Sequence, residues 1–126
     1  MSTELTATLL EFIRSCIPSY QVAEVLLATA THPDRDFTPD EIVEIMRPVQ
    51  ITEASARRSL AALTACGLLR QHAGRFAYSP SPELAPRTQE LMRAYNERPV
   101  TLIRAIYRNE DRGIQSFADA FKLRKD

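Results

Sequence analysis

Two helix starts lying close together, with a proline between them, constrain this chain more than any other feature. The first is Thr38-Pro39-Asp40-Glu41. A threonine at a helix cap accepts from the backbone N–H three residues on. A glutamate at that third position reaches back to the threonine's own N–H. Pro39 falls at the first helical position, where its missing donor costs nothing. Asp40 and Glu41 suit the positive end of the helix dipole. The helix continues through Ile42, Ile45 and Met46, and Pro48 stops it. Thr52 then opens a second helix, which Gly67 closes with a left-handed C-terminal cap. Only a tight turn separates Met46 from Thr52. The two helices must therefore cross steeply, and the second projects one side away from the core.

Within the second helix, Ala56, Leu60 and Leu63 form one apolar stripe. The opposite side carries Ser55, Arg57, Arg58, Ser59 and Ala62, and no long acidic side chain follows Glu53. This small, hydroxylated, basic flank coincides with a local charge maximum. The chain has 16 basic and 16 acidic residues, a balance that argues against wholesale coating of nucleic acid. Yet residues 1–46 carry a net −6, residues 47–75 a net +4, and the remainder +2. A basic face on a neutral chain is compatible with a small electrostatic footprint.

The flanking segments read as helices and a ribbon. Leu5, Leu9, Ile13 and Ile17 recur every four residues, which predicts an amphipathic helix over Glu4–Ile17, ended by Pro18. Ser19 can cap a helix over Tyr20–Ala30. Residues 32–36 read as a polar connection. After Gly67, Leu68–Gln71 reads as a strand, His72–Arg75 as a turn with Gly74 at positive φ, and Phe76–Tyr78 as the returning strand. Such a ribbon must pack on helices to persist. A long helix follows, from Leu84 or Pro86 to Arg108, which Pro99 should kink or split. A last helix over Ile114–Lys122 bears Ile114, Phe117, Ala118 and Phe121, ahead of a frayed tail to Asp126. Too short to stand alone, it must dock on its own chain or on a second subunit.

Several function classes are disfavoured. Three glycines, Gly67, Gly74 and Gly113, do not make a phosphate-cradling loop. No run approaches ~18 apolar residues, so no membrane span is expected. Met1-Ser2-Thr3-Glu4 lacks a basic region followed by an apolar run, so no secretory signal is expected. Cys16 and Cys66 lack metal-ligand spacing, so they are expected to be small buried thiols in a reducing cytosol, with no disulfide and a redox switch as a minor alternative. Asp34, Asp36, Asp40 and Glu41 lie in a loop and at a helix start, and His32 and His72 lie in turns. No nucleophile–base arrangement follows, and neither enzyme activity nor a metal or cofactor is expected.

Three segments carry a resemblance. They are Phe37 to Ile42, the run Ser59-Leu60-Ala61-Ala62-Leu63-Thr64-Ala65-Cys66-Gly67-Leu68-Leu69-Arg70, and Gly74 to Tyr78. Together they resemble the winged helix-turn-helix of bacterial transcription regulators, in the broad MarR-like sense, over about a third of the chain. The resemblance implies a mainly α fold with a small β ribbon, a winged helix-turn-helix domain over residues 1–80, and a C-terminal helical extension over 81–126 packed as one unit with it. It implies a cytoplasmic DNA-binding regulator of transcription, acting as a homodimer, with the 52–66 helix in the major groove. Carried over by position, Thr52, Glu53, Ser55, Arg57, Arg58 and Ala62 face DNA. His72, Gly74 and Arg75 form the wing tip, and Arg47 and Arg70 clamp phosphates. Leu5, Leu9, Leu91, Tyr95, Leu102, Ile106, Phe117 and Phe121 are candidates for dimerisation.

Other readings stay open. The arginines can simply solvate an outer helix face. The acidic first third favours an alternative, a winged-helix adaptor that binds protein rather than DNA. Tyr95, Tyr107, Phe117 and Phe121 could also line a small-molecule effector pocket, although aromatics at this spacing usually fill a core.

Overall fold

The computed structural model describes the backbone over residues 5–123 and the side chains over residues 5–111. The chain is mainly helical with a small antiparallel sheet. In order, the elements are α1 (Ala7–Cys16), α2 (Tyr20–Ala30), β1 (Asp36–Phe37), α3 (Pro39–Ile45), α4 (Glu53–Cys66), β2 (Leu69–His72), β3 (Arg75–Tyr78), α5 (Ala85–Glu97) and α6 (Pro99–Leu123). No described helix is long and apolar enough to cross a membrane.

The helix starts follow from local chemistry. The hydroxyls of Thr6, Ser19, Thr38 and Thr52 each accept from a backbone N–H three residues on, at 3.0–3.2 Å. At α3 the reciprocal bond is also made: Thr38 N–H donates to Glu41 Oε1 at 2.8 Å. Gly67 ends α4 at φ +93°. Pro99 splits the expected long helix into α5 and α6. The helix expected separately over Ile114–Lys122 is instead the continuation of α6 through Gly113. Glycine weakens a helix interior by only about 1 kcal/mol, too little to interrupt a 25-residue helix.

The sheet has three strands in the order β1-β3-β2. The connection expected over 32–36 ends in β1, which pairs Asp36 with Ala77 and Phe37 with Phe76. Two residues are too few to show a period, so only the apolar Phe37 hinted at it. Phe37 is fully buried. The hairpin between β2 and β3 turns on Ala73 and Gly74, both at positive φ (52° and 77°).

One core runs through the chain. It takes Phe12 and Ile13 from α1, Val25 and Leu26 from α2, Ile42 from α3 and Leu60 and Leu63 from α4. Phe76 of β3 joins them. Leu9 of α1, Leu91 of α5 and Leu102 and Ile106 of α6 are at most 2 % exposed in this core. Those four were candidates for dimerisation. They are corrected to intrachain packing, because side chains covered by their own chain have no surface left for another. Leu5 and Tyr95 are half-buried, and the side chains of Phe117 and Phe121 lie outside the described residues. The expectations for Glu4 and for the tail after Leu123 also fall outside them.

The break at Pro18 leaves carbonyls at the end of α1 and N–H groups at the start of α2 without helical partners. α6 reaches both sides of the break, in one case adding a second donor to Ile13 O, which already accepts from Ile17 N–H. Asn109 Nδ2 donates to Ile13 O at 3.1 Å and to Ile17 O at 2.9 Å. Glu110 Oε1 accepts from Tyr20 N–H at 2.6 Å. Beside this junction the Tyr20 and Tyr95 hydroxyls meet at 3.4 Å, and the Tyr20 ring stacks on Tyr107. The bond from Tyr95, together with burial, holds the Tyr20 phenol well above its usual range.

The cysteines are not free. Cys16 and Cys66, the last residues of α1 and α4, form a disulfide across 50 residues, with Cα atoms 5.8 Å apart. This overturns the expectation of two separate thiols. Their separation in sequence concealed that both helices end at the same place.

Candidate nucleic-acid interface

Helix α4 packs against α2 and α3 through Ala56, Leu60 and Leu63, all fully buried. Residues 54, 57, 58, 61 and 65 then fall on its outer side at spacings of three and four. Ala54, Arg57, Arg58, Ala61 and Ala65 are all exposed there. The exposed stripe is therefore two arginines framed by alanines, with the capping Thr52 at its start.

The serines assigned to this flank lie elsewhere. Ser59 is buried. Ser55 is half-buried, and its Oγ donates to Gln21 Oε1 on α2 at 2.7 Å. Its hydroxyl ties α4 to α2 and is withdrawn from the outer face, which corrects its assignment as a DNA contact. Ala62 is half-buried. Ala54, Ala61 and Ala65 were missed. Counting three and four residues outward from Arg57 and Arg58 would have found them, but alanine signals neither a core nor a surface.

The arginines fall into two groups. Arg57 pairs with Glu53 one turn earlier, Arg47 pairs with Glu44 at 3.2 Å, and Arg75 pairs with two acids. Arg58 on α4 and Arg70 on β2 are exposed, and neither has an acidic partner among the described residues. Glu53 itself is half-buried and faces Arg57, so it offers the stripe no free negative charge.

Arg75 belongs to the scaffold. Its Nε donates to Asp36 Oδ1 and a terminal nitrogen donates to Glu41 Oε1, both at 2.8 Å. The resemblance places it at the hairpin tip, facing DNA. Instead it spans β3, β1 and the start of α3, because β1 brings Asp36 alongside it. The bond from Arg75 lowers the Asp36 carboxyl below its usual range. The Thr38 backbone N–H, with help from Arg75, does the same for Glu41. The tip proper is formed by exposed His72, Ala73 and Gly74.

The arrangement offers an exposed helix face bearing guanidinium groups and no described carboxylate of its own beyond the paired Glu53. The described residues contain no group of three or more His, Cys, Asp or Glu side chains able to hold a metal ion. No protein-family model, curated protein or solved structure matches the chain.

Proposed function

We propose that this chain is a winged helix-turn-helix, broadly MarR-like, DNA-binding regulator of transcription that places α4 in the major groove. The observation that carries this reading is the exposed Ala54–Arg57–Arg58–Ala61–Ala65 face on a helix joined to α3 through residues 46–52 and packed against it. A helix of ~10–12 Å diameter fits a groove about 12 Å wide. Alanines keep the rod thin, so its axis can approach base edges closely and a methyl can touch a thymine methyl. Arg58, unencumbered by a described carboxylate, is positioned for a guanine edge or a phosphate. Arg57 would exchange Glu53 for a phosphate at small cost, since surface ion pairs are weak.

The order helix, strand, helix, helix, hairpin supports the same reading, with β2–β3 as the wing. Its tip presents His72, Ala73 and Gly74, and Arg70 lies on the wing strand as a phosphate contact. The protein would act in the cytoplasm as a homodimer, reading two half-sites about one helical turn apart. With Leu9, Leu91, Leu102 and Ile106 committed to the core, pairing would fall to exposed apolar side chains such as Leu10, Val100 and Tyr107.

The decisive experiment is selection of bound sequences from a random duplex pool by the purified protein. Recovery of a two-fold symmetric motif supports the regulator. Recovery of no enriched sequence, with retention on heparin indifferent to salt, would instead favour a winged-helix adaptor that binds protein. The acidic first third of the chain, net −6 over residues 1–46, is the observation that keeps the adaptor in view.

A further inference from the structure

The two cysteines are the only ones in the chain, and they join α4 to α1 at the end of each helix. They differ in access. Cys16 is 5 % exposed, whereas Cys66 is only partly buried. Nothing else described ties the last turn of α4 to α1 covalently. The first turn of α4 is held separately, by Ser55 on Gln21. The disulfide thus adds a covalent tie at one end of the helix, where Leu63 also packs and Ser81 N–H donates to Gly67 O, while the other end is anchored independently.

We propose that Cys16–Cys66 is a redox latch on α4, worked by a small thiol of the glutathione type that attacks at Cys66. The consequence for duplex binding rests on the function proposed above. In opening, a glutathione thiolate attacks Cys66 Sγ, a bond forms between those sulfurs, and the Cys66–Cys16 bond breaks. Cys16 leaves as a thiolate and takes a proton from water. A second glutathione thiolate attacks the sulfur of the first, releasing Cys66 as a thiolate, which is also protonated. Two glutathiones become one glutathione disulfide, and the protein gains two electrons. Closing is the reverse, with glutathione disulfide as oxidant. Attack falls on Cys66 because exchange needs an approach to the sulfur, which burial denies at Cys16.

Opening frees the α4 C-terminal turn from α1 while Ala56, Leu60 and Leu63 keep the helix on the core. A rod loosened at one end has more motion to lose on binding, so the latched form should bind duplex more tightly.

The test uses the full chain, oxidised with glutathione disulfide or reduced with glutathione, and the single variants Cys16→Ser and Cys66→Ser. Mass spectrometry after incubation with glutathione disulfide should find a rapid adduct on Cys66 of the Cys16→Ser protein and a much slower one on Cys16 of Cys66→Ser. Amide exchange over residues 60–67 should be at least about fivefold faster in the reduced protein, with duplex affinity falling by a similar factor. Faster adduct formation at Cys16, or equal exchange over 60–67 in both redox states, overturns the latch. Equal, measurable duplex binding in both states removes it as a regulator. Absence of duplex binding in either state, with exchange still redox-dependent, overturns the DNA reading and leaves the latch standing.

Discussion

Arg75 and Glu41, 34 residues apart, meet at 2.8 Å on the same carboxylate oxygen that closes the capping box of α3. Glu41 Oε1 thus accepts both from the Thr38 backbone and from a guanidinium on β3. The start of α3 and the returning strand of the hairpin are held by one atom. Asp36 on β1 supplies the second arm of the clamp. This relationship predicts coupling. Arg75→Ala and Glu41→Gln should each lower the thermal midpoint, and the double variant should lose less than the sum, because each single change already removes the shared ion pair. A double-mutant cycle by thermal denaturation measures it.

The same clamp sets the acid limb of stability. Asp36 and Glu41 both titrate below their usual ranges when folded. Their contribution is therefore complete above the unfolded carboxylate range, about pH 4 to 5, and is lost as pH falls through the lowered folded values. Glu24, pushed up by burial, acts in the opposite sense: its contribution favours folding at low pH and is lost as pH rises through its raised value. Glu24→Gln should consequently raise the thermal midpoint at pH 7 and change it little at pH 3. Denaturation across pH 2.5–7 of the wild type, Arg75→Ala and Glu24→Gln checks both signs.

Ala73 stands at φ 52° beside Gly74 at 77°, a two-residue turn with both central residues left-handed. Asparagine tolerates this region better than alanine and is favoured ahead of glycine in such hairpins. Ala73→Asn should stabilise the protein by about 0.5–1 kcal/mol in chemical denaturation, without altering the denaturant slope.

Asn109 is the cap that α6 lends to α1. Asn109→Ala leaves the Ile13 and Ile17 carbonyls without that donor, so it should cost about 1–3 kcal/mol. Amide exchange should rise first around the α1–α2 junction if the cap works locally as described.

What was legible in the sequence was legible for local reasons. Thr38 with Glu41, Thr52, Gly67 and Pro99 each place an element boundary through the chemistry of one or two neighbouring residues. The parts that escaped depend on distant ones. β1 has two residues and exists because β3 pairs with it. Arg75 looked free because Asp36 and Glu41 come to it only through that pairing. Ser55 looked like part of the outer face because Gln21 is 34 residues away. Cys16 and Cys66 looked unrelated because nothing in either flanking segment shows that α1 and α4 end together. The apolar stripes of α1, α5 and α6 were visible, but periodicity shows only that a face is covered, not which chain covers it. On the candidate site, the exposed arginines of α4 stand where the spacing put them, while the residues framing them are alanines rather than serines.

Arg58 stands on the exposed face of α4 that we propose binds duplex DNA. The most direct measurement compares binding isotherms of the wild type and Arg58→Ala on random-sequence and selected duplexes over a salt series. Expected are salt-dependent binding by the wild type, and in Arg58→Ala a loss of about 1–3 kcal/mol if the contact is to a base, or a salt slope shallower by about one if it is to a phosphate. Isotherms that superimpose at every salt concentration, or a wild type that binds no duplex at all, would rule out duplex binding through Arg58 on this face.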